Sequence, residues 1–143
     1  MIENDIIKHL TSDATLMGLL AGNITNKYKF HLIQADPDVV PPFVVWEVYT
    51  DLIGFESIIE TDIFKFNIFA INNITCKIIA DRLKKLLSIS DELNLSSTTE
   101  ISSNEYYIYS GLHIGSDNYI KDTETKIYIL PMNFEFVYKR KVV

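Results

Sequence analysis

The side chains best suited to chemistry are three histidines, His9, His31 and His113, and one cysteine, Cys76. A metal centre or a nucleophile–base pair needs such groups at a spacing that one element or loop can bring together. The histidines fall on three separate predicted elements, and no metal-ligand spacing joins any of them to a pair of carboxylates. Each reads as a structural histidine. Cys76 stands in the first turn of a predicted helix, where the N-terminal dipole favours a thiolate. It has no partner at motif level, so it reads as a small core-facing residue. The five glycines, Gly18, Gly22, Gly54, Gly111 and Gly115, build no phosphate-cradling loop, and no Gly-x-Ser-x-Gly elbow is present. No catalytic, cofactor-binding or metal-binding residue is expected, and the chain is expected not to be an enzyme.

The elements that would position these groups follow from hydrophobic periodicity. Ile2, Ile6, Ile7 and Leu10 have helical spacing; Thr11-Ser12-Asp13 interrupts it and offers an N-cap, and Leu16, Met17, Leu19 and Leu20 resume it. Gly22 suits a helix C-cap, so residues 1 to 22 are one bent helix or two short ones. Tyr28, Phe30 and Leu32 alternate with polar residues as a short strand. Ala35-Asp36-Pro37-Asp38 is a turn, and Pro41-Pro42 leads into a strong strand from Phe43 to Tyr49. Ile58 to Ile71 forms a long second strand, pairing with the first as a hairpin whose tip is residues 50 to 58. Asn72 or Asn73 caps a helix on which Ile74, Ile78, Ile79, Leu83, Leu86 and Leu87 form one stripe. Residues 88 to 104 are a polar loop with room for one short strand, anchored by Leu93 and Leu95. Tyr106 to Ile114 is a tyrosine-rich strand, ending at a turn over Gly115-Ser116-Asp117-Asn118, and Tyr119-Ile120 extends the sheet or its edge. The last strand spans Lys126 to Tyr138, with Pro131 expected at an edge or a bulge. With hairpin connections this is a single α+β domain over residues 1–143, an antiparallel β-sheet of about four to five strands with two main helices packed on one face.

Composition narrows the class. At 143 residues with 48% apolar and 22% charged side chains, the chain has an ordinary globular mix and enough length for a core. One cysteine excludes a disulfide framework, and a net charge of −6 argues against grip on nucleic-acid phosphates. The acidic start, Met1-Ile2-Glu3-Asn4-Asp5, is unlike a secretory signal, and no apolar run is long enough to span a bilayer. The expected compartment is the cytosol of the producing cell, with no membrane partner.

What remains is surface. A loop tip is normally polar, yet Leu52, Ile53 and Phe55 fall at the predicted hairpin tip. Tyr106, Tyr107, Tyr109 and Tyr119 read either as cross-strand packing or as a protein–protein surface, since alternating members cannot all face one core. The mean hydropathy of +0.11 and strands apolar on both faces point to assembly, with an exposed edge strand inviting pairing between subunits. Lys139-Arg140-Lys141 is a solvated terminus or an ionic contact for an acidic neighbour.

Taken in order, these features resemble the tail-terminator (tail completion, or head-to-tail joining) proteins of long-tailed bacteriophages. The matching residues are Leu16-x-x-Leu19-Leu20-Ala21-Gly22 and the Pro42-Phe43-Val44-Val45-Trp46 strand after a proline-containing loop. The long strand ending at Phe69-Ala70 and the helix with Ala80, Leu83 and Leu87 complete the match. The resemblance covers residues 5 to 90 and the terminal strand. It implies a non-enzymatic virion protein, made in the bacterial cytoplasm and located in the virion tail. Such a protein forms a homo-hexameric ring that caps the tail tube, stops its growth and presents the head-docking surface. The implied partners are other copies of the chain, the tail tube protein and a head connector or sheath protein, with DNA passing through the lumen without specific binding. Leu52, Ile53 and Phe55 would meet the tube, and sheet edges with the tyrosine strand would join subunits. The competing expectation is a small apolar-ligand-binding or adaptor domain without catalysis, its pocket lined by Trp46, Phe64, Phe66 and Tyr109.

Overall fold

The structure, a computed structural model, describes residues 2–21, 30–32, 34, 40–51, 59–89, 101–115 and 118–141. The first 20 or so residues form two helices rather than one bent one, α1 (Ile2–Thr11) and α2 (Ala14–Ala21). Glu3 and Asp5 stand in the first turn of α1 and Lys8 and His9 in its last, matching the helix dipole. Asp13 breaks the run and caps α2: its carboxylate accepts the Leu16 N–H at 2.8 Å, while its carbonyl accepts the first intrahelical bond, from Met17 at 3.0 Å.

Among the described residues six strands form one sheet: β1 (Phe30–Leu32), β2 (Phe43–Asp51), β3 (Ile59–Ala70), β4 (Tyr106–Ile114), β5 (Ile120–Lys121) and β6 (Tyr128–Arg140). The order is β1-β2-β3-β6-β4, with β5 also on β6. The sheet is mixed, not wholly antiparallel, because β1 runs parallel to β2. The strand count is slightly above the four to five expected. Even-numbered residues of β2, β3 and β6 face the helices; burial alternates regularly along β3 and β6, while in β2 Phe43 and Val45 are buried on the opposite face as well. Val44, Ile68, Phe66, Phe64, Leu130, Met132, Phe134 and Phe136 are buried on the helix side. Edge-to-face pairs Phe64–Phe136 at 5.2 Å and Phe66–Phe134 at 5.8 Å join β3 to β6. Such pairs add about 0.5–1.5 kcal/mol each beyond the area they bury.

Helix α3 (Asn73–Leu87) lies on that face, its N-cap Asn72 accepting from Thr75 N–H at 2.7 Å. Its buried stripe is Cys76, Ile79, Ala80, Leu83, Leu86 and Leu87, which corrects the expected one: Ile74 and Ile78 are exposed. At 100° per residue Ile74 stands roughly 180° from Leu83, so the small Cys76 and Ala80 occupy the core side instead. Pro131 is a second correction. It lies in β6, a central strand, opposite Asn67 of β3. On its other side β5 pairs up to Ile129 and β4 begins at Asn133, so the proline falls in the interval between two neighbours. Its missing N–H breaks no ladder on that side.

Beyond α3, Ile89 bridges Gly111 of β4 through two 3.0 Å backbone bonds, and Ile101 is buried. The expected anchors Leu93 and Leu95, the Gly22 cap, the Asp36-Pro37 turn and the apolar tip at Leu52, Ile53 and Phe55 lie outside the described residues.

Candidate interaction surface

The groups that could do chemistry stay apart. His9 on α1 donates from Nε2 to the Leu86 carbonyl at 3.0 Å, tying α1 to the end of α3. His31 is buried on β1 with its ring edge-on to Phe43 at 5.9 Å, and His113 on β4 leans over Phe134 at 5.3 Å. Cys76 is fully buried, its thiol near the carbonyls of Ile68 (3.8 Å) and Tyr128 (3.6 Å). Burial pushes its pKa up to about 11, the reverse of an activated thiol. Among the described residues no group of three His, Cys, Asp or Glu side chains could hold a metal ion, and no helix is long and apolar enough to cross a membrane.

Of the aromatic residues proposed to line an apolar pocket, three pack together and one stands apart. Phe64 and Phe66 are fully buried and packed against Trp46, Phe134 and Phe136, whereas Tyr109 stands exposed on the edge strand. Trp46, Phe64 and Phe66 share the helix-facing side and pack on one another, and Tyr109 stands apart, so the four do not enclose one cavity.

The tyrosines sort by register. Tyr106 faces the helix side, its ring edge-on to Tyr138 at 5.3 Å and packed against the core. Burial foremost, and then the charge of Glu105, hold its phenol above the usual range. Tyr138 is buried too and donates to the Asp62 carboxylate at 2.8 Å, which with burial raises its own pKa. Tyr107, opposite Lys139, points to the other face of the sheet and is 53% exposed. Tyr109 is the extra residue of a β-bulge, since Ile108 pairs with Tyr138 and Ser110 with Val137, and it is 39% exposed. Tyr119 is exposed just before β5. The structure thus brings Tyr107 and Tyr109 together on one strand and sets Tyr106 in the core and Tyr119 elsewhere.

Around Tyr107 and Tyr109 the edge of β4 borders a cavity of about 550 Å³, lined among others by Ile101, Ser103, Asn104 and Lys141. Lys141 reaches across it, its ammonium 2.8 Å from the Ser103 carbonyl and 5.0 Å from the Tyr107 ring centre. Ser103 in turn donates to Asp5 of α1 at 2.7 Å. The face of the sheet away from the helices carries the exposed Tyr49, Ile59 and Leu112 beside the paired charges Lys65 and Glu47, 4.0 Å apart. Sequence reasoning missed Leu112 and Leu32, both exposed on edge strands, because their strands read equally well as buried. A strand without any charge, at the end of the sheet order, is the signal that finds them.

No protein-family model and no curated protein sequence matches the chain. Among solved structures, its fold is similar to that of a chain from the virion of a native gene transfer agent (GTA) particle. The TM-score is 0.63 at 13% sequence identity, covering 94% of this chain and 91% of that one.

Proposed function

We propose that this chain is a non-enzymatic structural subunit of a phage-derived particle, forming a homo-hexameric ring that caps a tail tube and offers a docking surface to the head. The observation that carries the reading is the fold likeness to a virion chain over nearly the whole of both chains. The motifs around Leu16–Gly22 and Pro42–Trp46 support the tail-terminator role within that class. The surfaces fit a building block: apolar side chains lie exposed on both edge strands and on the sheet face away from α3. The net charge of −6 suits a ring through which DNA passes without being held. In this reading Leu52, Ile53 and Phe55 contact the tube, and the tube and a head connector or sheath protein are the partners.

Light scattering after size exclusion, across a concentration series and with purified tail tubes, tests it. The expected mass steps from 16.5 kDa toward six times that value, and the protein co-sediments with tubes. Replacing Leu52, Ile53 and Phe55 together by Ser is expected to leave a folded chain that no longer binds tubes. A monomer at every concentration that ignores tubes refutes the reading.

A further inference from the structure

We infer that the two edges of the sheet pair with each other between copies: β4 of one copy receives β1 of the next, antiparallel, in a head-to-tail contact. The inference rests on the ring reading and names the surfaces that would close it. Its basis is an inverted distribution of charge. Solitary proteins protect edge strands with charged residues or prolines. Here the central strands carry the charges, Glu60, Asp62 and Lys65 on β3 and Glu135, Lys139 and Arg140 on β6. The edges carry none: β4 reads Tyr-Tyr-Ile-Tyr-Ser-Gly-Leu-His-Ile and β1 reads Phe-His-Leu. Both edges expose large apolar side chains, Leu32 on β1 and Tyr107, Tyr109 and Leu112 on β4.

Strand direction fits the pairing. From β2 the sense alternates through β3, β6 and β4, while β1 runs with β2. Beside a neighbour of the same orientation, β4 therefore meets a β1 of opposite sense, and an antiparallel ladder continues the sheet from copy to copy. Because the two edges differ, the contact is heterologous and propagates to a ring or a filament, whereas β4 on β4 across a two-fold axis would leave both β1 edges bare. The landing place is limited. Ile89 bridges the edge at Gly111, and the Tyr106–Tyr109 stretch, whose Tyr106 N–H donates to Ser103 Oγ at 3.0 Å, lies beside the 550 Å³ cavity. That stretch is about 13 Å long, enough for the three residues of β1 at about 10 Å. Among the described residues the strand partner of β1 is β2, and the Leu32 carbonyl also accepts the Gln34 N–H at 2.7 Å.

Cross-linking tests this directly. In a Cys76→Ala background, Leu32→Cys with Tyr109→Cys in one chain is expected to give an oxidised ladder up to six copies. Tyr109→Cys mixed with Leu32→Cys on separate chains should stop at the dimer, and neither alone should cross-link. Leu32→Lys and Tyr109→Lys, at exposed sites, should keep the wild-type melting temperature and raise the association midpoint by about tenfold or more. Cross-linked Tyr109→Cys dimers without Leu32→Cys would mean two-fold pairing and overturn the inference. A six-fold mass that persists in both lysine variants, with no ladder, would overturn it while leaving the ring reading standing. A wild-type monomer at every concentration that also ignores tail tubes overturns both.

Discussion

Asp13 holds two jobs that substitution can separate. Its Oδ2 caps α2 at the Leu16 N–H, and both carboxylate oxygens meet Arg82 of α3, at 2.6 Å from NH2 and 2.8 Å from Nε. The pair is partly buried, with side chains 22% (Arg82) and 15% (Asp13) exposed. An N-cap is worth about 1 kcal/mol. Exposed ion pairs give about 0.2–1 kcal/mol, and breaking a fully buried one costs about 3–5. At this depth and with two-point geometry, about 2 kcal/mol is the expected contribution. Asp13→Ala loses both and should cost about 3 kcal/mol, roughly 10 °C of melting temperature for a domain this size. Asp13→Asn keeps the cap and should cost about 2 kcal/mol, as should Arg82→Met, which keeps the stem. The double variant should cost scarcely more than either single, a coupling of about 2 kcal/mol.

The pH dependence supplies an independent check. The Arg82 guanidinium foremost, and the Leu16 N–H with it, hold the Asp13 carboxyl below its ordinary 3.8 against the opposing effect of burial. A lowered folded pKa gives stability that is complete above the unfolded value and is lost as pH falls through the folded one. The gap between wild type and Asp13→Asn in urea midpoints should be constant from neutral pH down to about 5 and close below about 4. Equal stability of the two at pH 7, or a gap that ignores acid, would refute the argument. The docking of α2 would then rest on its apolar side chains, Leu16 and Leu20 foremost with Met17 and Leu19 beside them.

Three further outcomes follow from single positions. A Cβ at Gly111 would collide with the Leu87 carbonyl oxygen and stand 2.8 Å from Phe136 Cε1, so Gly111→Ala should cost about 1–3 kcal/mol in urea unfolding. Gly18 lies in α2 with nothing near its missing Cβ, so Gly18→Ala should stabilise by about 0.5–1 kcal/mol, read as a raised midpoint at unchanged slope. Cys76, fully buried with its pKa pushed up to about 11, should react with a thiol reagent at pH 8 far more slowly than free cysteine, and at full rate in urea.

Much of this fold was legible because its long strands β3 and β6 alternate regularly. Phe64, Phe66, Phe134 and Phe136 announce a buried face by period alone, and Asp13 and Asn72 announce helix starts by their capping oxygens. The rest was hidden for physical reasons. Three residues of β1 carry no information on sense, so its parallel pairing could not be read from Phe30–Leu32. The α3 stripe was misread by weighting apolar identity over angle: Ile74 and Ile78 are greasier than Cys76 and Ala80 but face outward. Pro131 implied an edge, and the sheet meets that demand inside a central strand by ending β5 and starting β4 on either side of it.

The tyrosine strand shows why the candidate surface was harder to read than the core. Period alone groups Tyr107 and Tyr109 on one face and Tyr106 with Ile108 on the other, and the bulge at Tyr109 breaks that count. Core positions are fixed by what they touch within the chain. Edge positions are fixed by strand order, which depends on long-range pairing that no local window contains. That same separation explains how 13% identity can accompany a shared fold. Any apolar residues of suitable volume and alternation build the sheet and its helix layer. The uncharged edge strands β1 and β4 are under no such internal demand, since folding one copy gains nothing from leaving an edge uncharged. Their freedom from charge is therefore information about a partner rather than about the fold, and the cross-linking of Leu32→Cys to Tyr109→Cys reads it directly.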